Sequence, residues 1–195
     1  SEAISKRGGA YYNLGANYEH QFNGPTHRLA VDGSYSTRKS DEESTTEQFD
    51  INGKQISGKI TTEDGPTNRA RLEVKYEQPF ANDGKLEAGY QLRSGLSADE
   101  SGLQIWDTTA VDYVKVTSYD YDTEYKRNIQ SLFGVLSTNI GKLGVQGGFR
   151  AEYTFRNIAV IDSIDFEIDR WDYFPTLHLS YNITPTNKFM TSYSR

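Results

Sequence analysis

Three carboxylates at alternate positions are the feature of this sequence that most resembles a chemical site. Asp120, Asp122 and Glu124 lie in the stretch SYDYDTEYKR, which runs from residue 118 to residue 127. Hard cations such as Ca²⁺ need several oxygen ligands. In a β-strand, however, successive residues on one face are about 6.6 Å apart, too far for all three to bind one ion. The stretch is therefore a weak metal candidate. The alternation favours a strand on which the three carboxylates face water and Tyr121 and Tyr125 lie on the other side.

A second stretch repeats this alternation. In DSIDFEIDRWD, acidic residues at every second position alternate with apolar ones. The acidic set is Asp165, Glu167 and Asp169, and the apolar set is Ile164, Phe166 and Ile168. Because a dedicated metal site would occur once, the repetition favours a structural element. We predict no metal.

No other motif predicts catalysis. His20, His27 and His178 lack the i,i+4 spacing of a zinc-binding helix. The sequence contains no G-x-S-x-G nucleophile motif and no phosphate-binding P-loop. It contains no cysteine, which excludes disulfides and thiolate metal sites. We therefore predict a protein that is not an enzyme and that uses no cofactor.

The composition limits the partners. The 195 residues carry a formal net charge of -6, which argues against nucleic acid as a partner. The mean hydropathy is -0.71, and no run approaches the roughly 18 apolar residues of a membrane-spanning helix. That test covers helices alone, because a membrane β-strand carries its apolar residues at every second position.

The dominant sequence pattern has a period of two, which is typical of half-buried antiparallel strands. In YYNLGANYEHQF, for example, Tyr12, Leu14 and Tyr18 alternate with polar residues. Equivalent alternation occurs in HRLAVDGSYST, RLEVKYEQPF, KLEAGYQLRSG, KLGVQGGFRAEYTF and PTLHLSYNI. The segment from Arg127 to Ile140 is the nearest candidate for a helix, but its β-branched residues favour a strand. We predict an all-β, antiparallel up-and-down meander of about eight strands.

Short and long connections alternate along the chain. Short turns rich in Gly, Asn, Asp or Pro occur at FNGPTH, FANDGK, IGKL and TPTNK. Long polar stretches, which we expect to be loops, lie between them at residues 38–68, 94–124 and 156–172. In a meander, every short turn then lies at one end and every long loop at the other, as in a transmembrane β-barrel. A soluble extracellular β-sandwich or adhesin-like binding module is the alternative, since period-two alternation also fits a sandwich core.

The barrel interpretation assigns a role to each face of the sheet. Tyr12 and Phe22 are ten positions apart, which at a strand tilt of about 40° separates their rings by roughly 25 Å along the membrane normal. That distance matches the apolar band between two aromatic girdles. The girdle candidates are Tyr12, Tyr18, Phe22, Phe80 and Tyr90. The lumen-facing candidates are Arg71, Glu73, Lys75, Arg93, Arg150, Glu152 and His178.

Four segments occur in the order HRLAVDGSYSTRK, KYEQPFANDGKLEAGYQLRS, GVQGGFRAEYT and DYFPTLHLSYNITPTNKFMTSYSR. Together they resemble the β-barrel domain of TonB-dependent outer-membrane receptors of the Bacteroidetes type. The resemblance covers the chain from about Tyr11 onward. It implies a location in the bacterial outer membrane, in contact with its lipid. It also implies a parent receptor in which a plug domain and TonB take part in nutrient uptake. The nutrient, an unknown small-molecule substrate, would be a glycan, a peptide or a metal chelate.

The resemblance also sets the expected extent of this chain. Barrels of such transporters have about 22 strands, together with a plug and an energy-coupling box that we do not find in this sequence. We therefore expect residues 1–9 to be a disordered or appended N-terminus. We expect residues 10–195 to be an interior section of the barrel wall that is cut within a strand at Arg195. Such a section has two open sheet edges, so in isolation we expect it to self-associate. On this interpretation Asp120, Asp122 and Glu124 lie near the extracellular rim, and Tyr121 and Tyr125 face the membrane boundary.

Overall fold

The computed structural model describes residues 1–24, 26–81, 83–160 and 165–195, which form one antiparallel sheet of nine strands. The strands are β1 (Glu2–Gln21), β2 (Arg28–Phe49), β3 (Gln55–Phe80), β4 (Gly84–Asp107), β5 (Asp112–Lys115), β6 (Tyr121–Ile140), β7 (Leu143–Val160), β8 (Phe166–Asn182) and β9 (Lys188–Ser194). Eight strands pair in chain order, and the short β5 pairs with the end of β4. The predicted all-β, up-and-down meander is confirmed. The sheet is open, with β1 and β9 as its edges, so it forms part of a barrel.

No second sheet covers either face of this one within the described residues. Ile129, with 5% of its surface exposed, is the single buried hydrophobic residue in that part of the chain. A β-sandwich would bury the apolar residues of two facing sheets, so the sandwich alternative is wrong. The helical element in the described ranges is a three-residue 3₁₀ turn, Thr117–Tyr119. No described helix is long and apolar enough to cross a membrane.

The four short turns lie at one end of the sheet, which we call the turn end. They connect β1 to β2, β3 to β4, β6 to β7 and β8 to β9. In the IGKL turn, Gly141 has a φ of 61°, a left-handed conformation that glycine adopts without steric cost. The prediction that the short connections gather at one end is confirmed. Pro25 and Asn82, which belong to two of these turns, lie outside the described residues.

The strands are longer than the sequence pattern predicted. The expectation of long loops at residues 38–68, 94–124 and 156–172 is wrong for most of their length. β2 continues to Phe49 and β3 begins at Gln55, while β4 continues to Asp107. Residues 2–9, expected to lie outside the wall, belong to β1. Of the third stretch, residues 156–160 belong to β7, residues 166–172 belong to β8, and residues 161–164 lie outside the described ranges.

Polar cross-strand contacts and a tight turn accompany these extensions. Lys6 Nζ lies 3.1 Å from Glu43 Oε1 across β1 and β2. Where β2 turns into β3, the carboxylate of Asp50 accepts hydrogen bonds from the backbone N–H groups of Asn52 and Lys54, both at 2.8 Å. These bonds hold the pKa of Asp50 below its usual range. We call these extensions the hairpin arms; in β2, the arm from residue 39 to residue 48 is polar on both faces.

The register gives the tilt of the strands. The first turn, between β1 and β2, follows Gln21. The next turn, between β3 and β4, follows Phe80, and along the strand direction it lies three residues further out than the first. The hairpin ending at Ile140 lies two residues further, and the one ending at Asn182 lies one residue further still. The turns thus shift by six residues over six strands, or one residue for each strand. With about 3.3 Å per residue and about 4.8 Å between strands, the line of turns is inclined by about 35°, the tilt of strands in closed barrels.

The two faces of the sheet differ in polarity near the turn end. Residues directly opposite each other in the register share a face. We call one face the polar face; one of its rows consists of Asp32, Glu73, Gln91, Ser131, Glu152 and Asp172. We call the other the apolar face; the neighbouring row there consists of Val31, Val74, Tyr90, Leu132, Ala151 and Tyr173.

Valine at Gly89 should destabilise the sheet. A Cβ at Gly89 would lie 2.5 Å from the Phe133 ring and 2.6 Å from the backbone oxygen of Val74. The ring can move but the backbone cannot, so we expect Gly89→Val to cost about 1–3 kcal/mol. The measurement is the free energy of unfolding of the full-length protein in detergent, from denaturant titration.

Gly33→Val is the matched control, because a Cβ at Gly33 meets no atom within 4 Å. Its free energy of unfolding should stay within about 0.5 kcal/mol of the wild type. Equal losses in the two variants would contradict the steric explanation.

Candidate functional site

All seven lumen-facing candidates from the sequence lie on the polar face, and the structure brings five of them into two groups. Arg71 and Glu73 form an ion pair at 2.7 Å. Glu152 accepts from Arg150 at 2.7 Å, and it lies 3.6 Å from Arg93 on the neighbouring hairpin.

Lys75 and His178 lie apart from these two groups. Lys75 joins a separate ion-pair network nearer the turn end. His178 lies between Gln146 and Ser192 in the register and lines a groove of about 520 Å³. Besides His178, the groove is lined by polar residues such as Gln146 and Ser192, by apolar residues such as Met190, and by Asp83.

The most tightly paired charges on the polar face were not singled out by the sequence pattern. Glu77, with 4% of its surface exposed, accepts a hydrogen bond from Arg28 Nε at 2.7 Å. Its other carboxylate oxygen lies 2.6 Å from Lys75 Nζ and 3.6 Å from Lys85 Nζ. Glu87 lies 3.2 Å from Lys75 and 2.6 Å from Lys85. The sequence feature that could have predicted this network is the repeated Lys-x-Glu pattern at residues 75–77 and 85–87, which places opposite charges on one face of each strand.

The five girdle candidates belong to the apolar face, and further aromatic side chains join them there. Near the turn end, the Phe22 ring stacks on His27 with centroids 4.5 Å apart, and His27 Nε2 lies 2.9 Å from the Tyr76 hydroxyl. Further from the turns, the Tyr90 hydroxyl donates to Gln130 Oε1 at 3.0 Å. Aromatic rings on this face thus occur near the turn end and again several residues away, with polar partners at both levels. The additional members are Tyr35, Tyr76, Trp171, Tyr173 and Tyr181.

The three carboxylates of SYDYDTEYKR do not form one group. Asp120 precedes β6 and lies 2.8 Å from Lys115 Nζ, a hydrogen bond that raises the pKa of Lys115. Glu124 pairs with Lys126. Within the described ranges there is no group of three or more His, Cys, Asp or Glu side chains that could hold a metal ion.

The faces of this stretch are the reverse of those expected. Tyr121 pairs with Ser101 and Tyr125 with Ser97, so both tyrosines share the polar face with Arg93. The expectation that they face a membrane boundary is wrong. Asp122 and Glu124 lie on the same side as Leu132 and the rest of the apolar face.

The same reversal occurs on β8, where Phe166 lies on the polar face and Glu167 on the other. Along β6, β7 and β8, the polarity of the two faces therefore exchanges away from the turn end.

Glutamine at Glu77 should destabilise the sheet more than glutamine at Glu73. Glu77 neutralises Arg28 and Lys75 from an almost fully buried position, so Glu77→Gln leaves two cations short of a partner and should cost about 2–3 kcal/mol. Glu73→Gln, the matched control, breaks one pair to the exposed Arg71 and should cost less than about 1 kcal/mol. Denaturant titration of the full-length protein in detergent gives both values. A larger loss for Glu73→Gln would contradict the proposed hierarchy.

Comparisons with known proteins agree with this architecture. A family model described as the outer membrane protein beta-barrel family matches residues 20–195. Among solved structures, the ferric citrate transporter FecA in its unliganded form superposes with a TM-score of 0.58 at 15% identity, over 94% of this chain and 27% of that one. The chain therefore spans about a quarter of the length of FecA, and the likeness is one of fold.

Two further structures match with lower scores. The alcaligin outer membrane receptor FauA from Bordetella pertussis has a TM-score of 0.35 at 14% identity, over 98% of this chain and 42% of that one. The ferric preacinetobactin receptor BauA from Acinetobacter baumannii has a TM-score of 0.30 at 11% identity, over 96% of this chain and 39% of that one. No curated protein sequence matches the chain.

Proposed function

This chain belongs to the outer membrane protein beta-barrel family, and from that premise we propose that it is part of the wall of a receptor that takes up a nutrient with energy supplied by TonB. It is a β-barrel protein of the bacterial outer membrane. The observation that carries the proposal is the division of one tilted, open sheet into a polar and an apolar face near the turn end.

The apolar face contacts lipid and the polar face lines the lumen. Tyr12, Tyr18, Phe22, Phe80 and Tyr90 lie in the two aromatic girdles, as amphipathic rings do at a membrane boundary. A strand needs about 9–11 residues to cross the bilayer, whereas β3 has 26 residues. The turn end is therefore periplasmic, and the polar hairpin arms extend beyond the membrane on the outside.

The polar face near the turn end contacts a plug domain. The seven lumen-facing candidates include both signs of charge, and five of them pair with one another. A wall of that kind offers hydrogen bonds to a packed domain without a large net charge. The nutrient is a glycan, a peptide or a metal chelate, and it enters from the side of the hairpin arms.

Adjacent cysteines test the orientation of the faces. The chain contains no cysteine, so Gly33→Cys and Ser34→Cys each provide a single label, on the apolar and the polar face respectively. We expect a bimane fluorophore at residue 33 of the full-length protein in liposomes to be quenched by nitroxide lipids. The same label at residue 34 should resist that quenching and be quenched by iodide. Equal or reversed quenching would overturn the assignment of the apolar face to lipid.

Nutrient depletion tests the uptake function. Cells expressing the full-length protein should remove at least one glycan, peptide or metal chelate from a defined mixture faster than cells lacking its gene. The difference should disappear when TonB is deleted, because the energy would then be missing. Identical depletion with and without the gene would overturn the proposal, and so would uptake that does not depend on TonB.

A further inference from the structure

Two consecutive rows of the polar face carry arginines without any acidic residue. One row contains Ser36, Arg69, Gly95, Arg127 and Arg156, and the next row away from the turn end contains Arg38, Thr67, Ser97, Tyr125 and Ile158. We call Arg38, Arg69, Arg127 and Arg156 the arginine rows. They lie next to the part of the polar face whose charges are paired, on the side away from the turn end.

The arginines closer to the turn end have carboxylate partners. Arg71 pairs with Glu73, Arg93 and Arg150 with Glu152, and Arg170 with Asp172 at 2.9 Å. For the four members of the arginine rows, the described residues offer no carboxylate oxygen within 4.0 Å. Pairing on the polar face is therefore interrupted at this level, and it resumes further out, where Arg7 lies 3.0 Å from Glu42.

Arg127 and Arg156 are directly opposite each other on β6 and β7. Cβ atoms at such positions are about 5 Å apart, and like charges there are destabilising. The Nε atom of Arg127 is buried and has no hydrogen-bond partner among the described residues. Bound anions remove both problems, because a guanidinium presents a planar fork that matches carboxylate and phosphate oxygens.

The space around these arginines is open. Gly95 lies between Arg69 and Arg127 in the row. A Cβ added at Gly95 would lie 3.7 Å from the nearest atom outside its chain neighbours. A separate groove of about 700 Å³, formed by β1, β2 and β3, is lined by Arg38 and Arg69 together with hydroxyl side chains such as Ser36 and Thr67.

Apolar side chains lie directly beyond the arginines on the same face. Tyr125 pairs with Ile158, and Ile158 pairs with Phe166, so the three form a continuous row across β6, β7 and β8. Phe166 is 59% exposed and Ile158 is 37% exposed. An exposed apolar row next to uncompensated cations is suited to a molecule that has both an acidic and an apolar part.

We propose that the arginine rows bind an organic anion whose carboxylate or phosphate group contacts Arg127 and Arg156. Its apolar part then lies against Tyr125, Ile158 and Phe166. The inference rests on the proposed uptake function, since it names the chemical class of substrate that would enter along this wall. It adds that the substrate is acidic and carries an aromatic or aliphatic group.

Calorimetry on the full-length protein in detergent tests this site with simple probes. The probes are phenyl phosphate, benzoate, inorganic phosphate and benzyl alcohol, which separate the anionic contribution from the apolar one and phosphate from carboxylate. We expect phenyl phosphate or benzoate to bind, and inorganic phosphate and benzyl alcohol to bind at least about tenfold more weakly. Absence of binding by both organic anions at millimolar concentration would overturn the proposal.

Two variants locate the binding. The double variant Arg127→Gln and Arg156→Gln should weaken binding of the organic anion by at least about tenfold, because it removes two charge-assisted hydrogen-bond donors. Lys126→Gln is the matched control: it removes one positive charge next to Arg127 but from the other face of β6, and its affinity should stay within about twofold of the wild type. Equal affinity of the double variant and the wild type would overturn the proposal.

Folding and uptake are checked separately. Heat-dependent migration on gels reports the folded barrel, and if the double variant fails this check, Arg156→Gln alone, at an exposed position, should weaken binding at least about threefold. If TonB-dependent uptake is observed but no organic anion binds, this inference is wrong and the proposed function stands. If anions bind at these arginines without any uptake, the proposed function fails and the site stands.

Discussion

Backbone pairing between neighbouring strands, nearly continuous over their length, is the constraint on which the rest of this structure depends. In the hydrocarbon core of a membrane no water can bond to an unpaired N–H or C=O group, so every such group must be paired within the sheet. Here β1 and β2 pair from Glu2↔Glu47 to Gln21↔Arg28, and β6 and β7 from Thr123↔Val160 to Ile140↔Leu143. A register of this length decides the face of every side chain and, through the shift of one residue per strand, the tilt of the wall. Packing in a core has little part in it, because Ile129 is the one buried hydrophobic residue described.

Because the register is continuous, residues at every second position stay on the same face of the sheet along the whole strand, although the environment of that face changes from one end to the other. On β6, Leu132 and Glu124 lie on the same face eight residues apart, and in a β-strand eight residues extend about 26 Å. On the proposed assignment of the apolar face to lipid, the Leu132 level lies within the membrane and the Glu124 level lies in the wet outer region. In the wet region neither face is required to be apolar. The polar face is then free to carry Tyr125 and Phe166, which explains the exchange of polarity on β6, β7 and β8.

Sequence reasoning could predict the features that depend on local chemistry. Period-two alternation gave the strands, and Gly, Asn and Pro gave the turns, such as the left-handed Gly141. It could not give the length of the hairpin arms, because segments such as 38–49 are polar on both faces and lack alternation. Nor could it assign Tyr121 and Tyr125 to a face, since the exchange of polarity makes the alternation fit either side equally well. The network around Glu77 depends on the register between β2, β3 and β4, which no single segment contains.

Arginine and lysine are placed differently on this wall, and only some of the arginines are paired with carboxylates of the wall. Every arginine within the described strands lies on the polar face, whereas lysines occur on both faces, with Lys6, Lys39 and Lys126 on the side opposite the arginines. The choice has a physical basis, because arginine stays charged and binds oxyanions through two parallel donors, while a lysine is a flexible point charge. Near the turn end these donors are used within the wall, by Glu77 and Glu152. Further out the polar face carries acidic residues again, such as Glu42, which pairs with Arg7 at 3.0 Å. The arginine rows therefore form a band of positive charge between two paired regions, and an anion moving along the wall would meet it there.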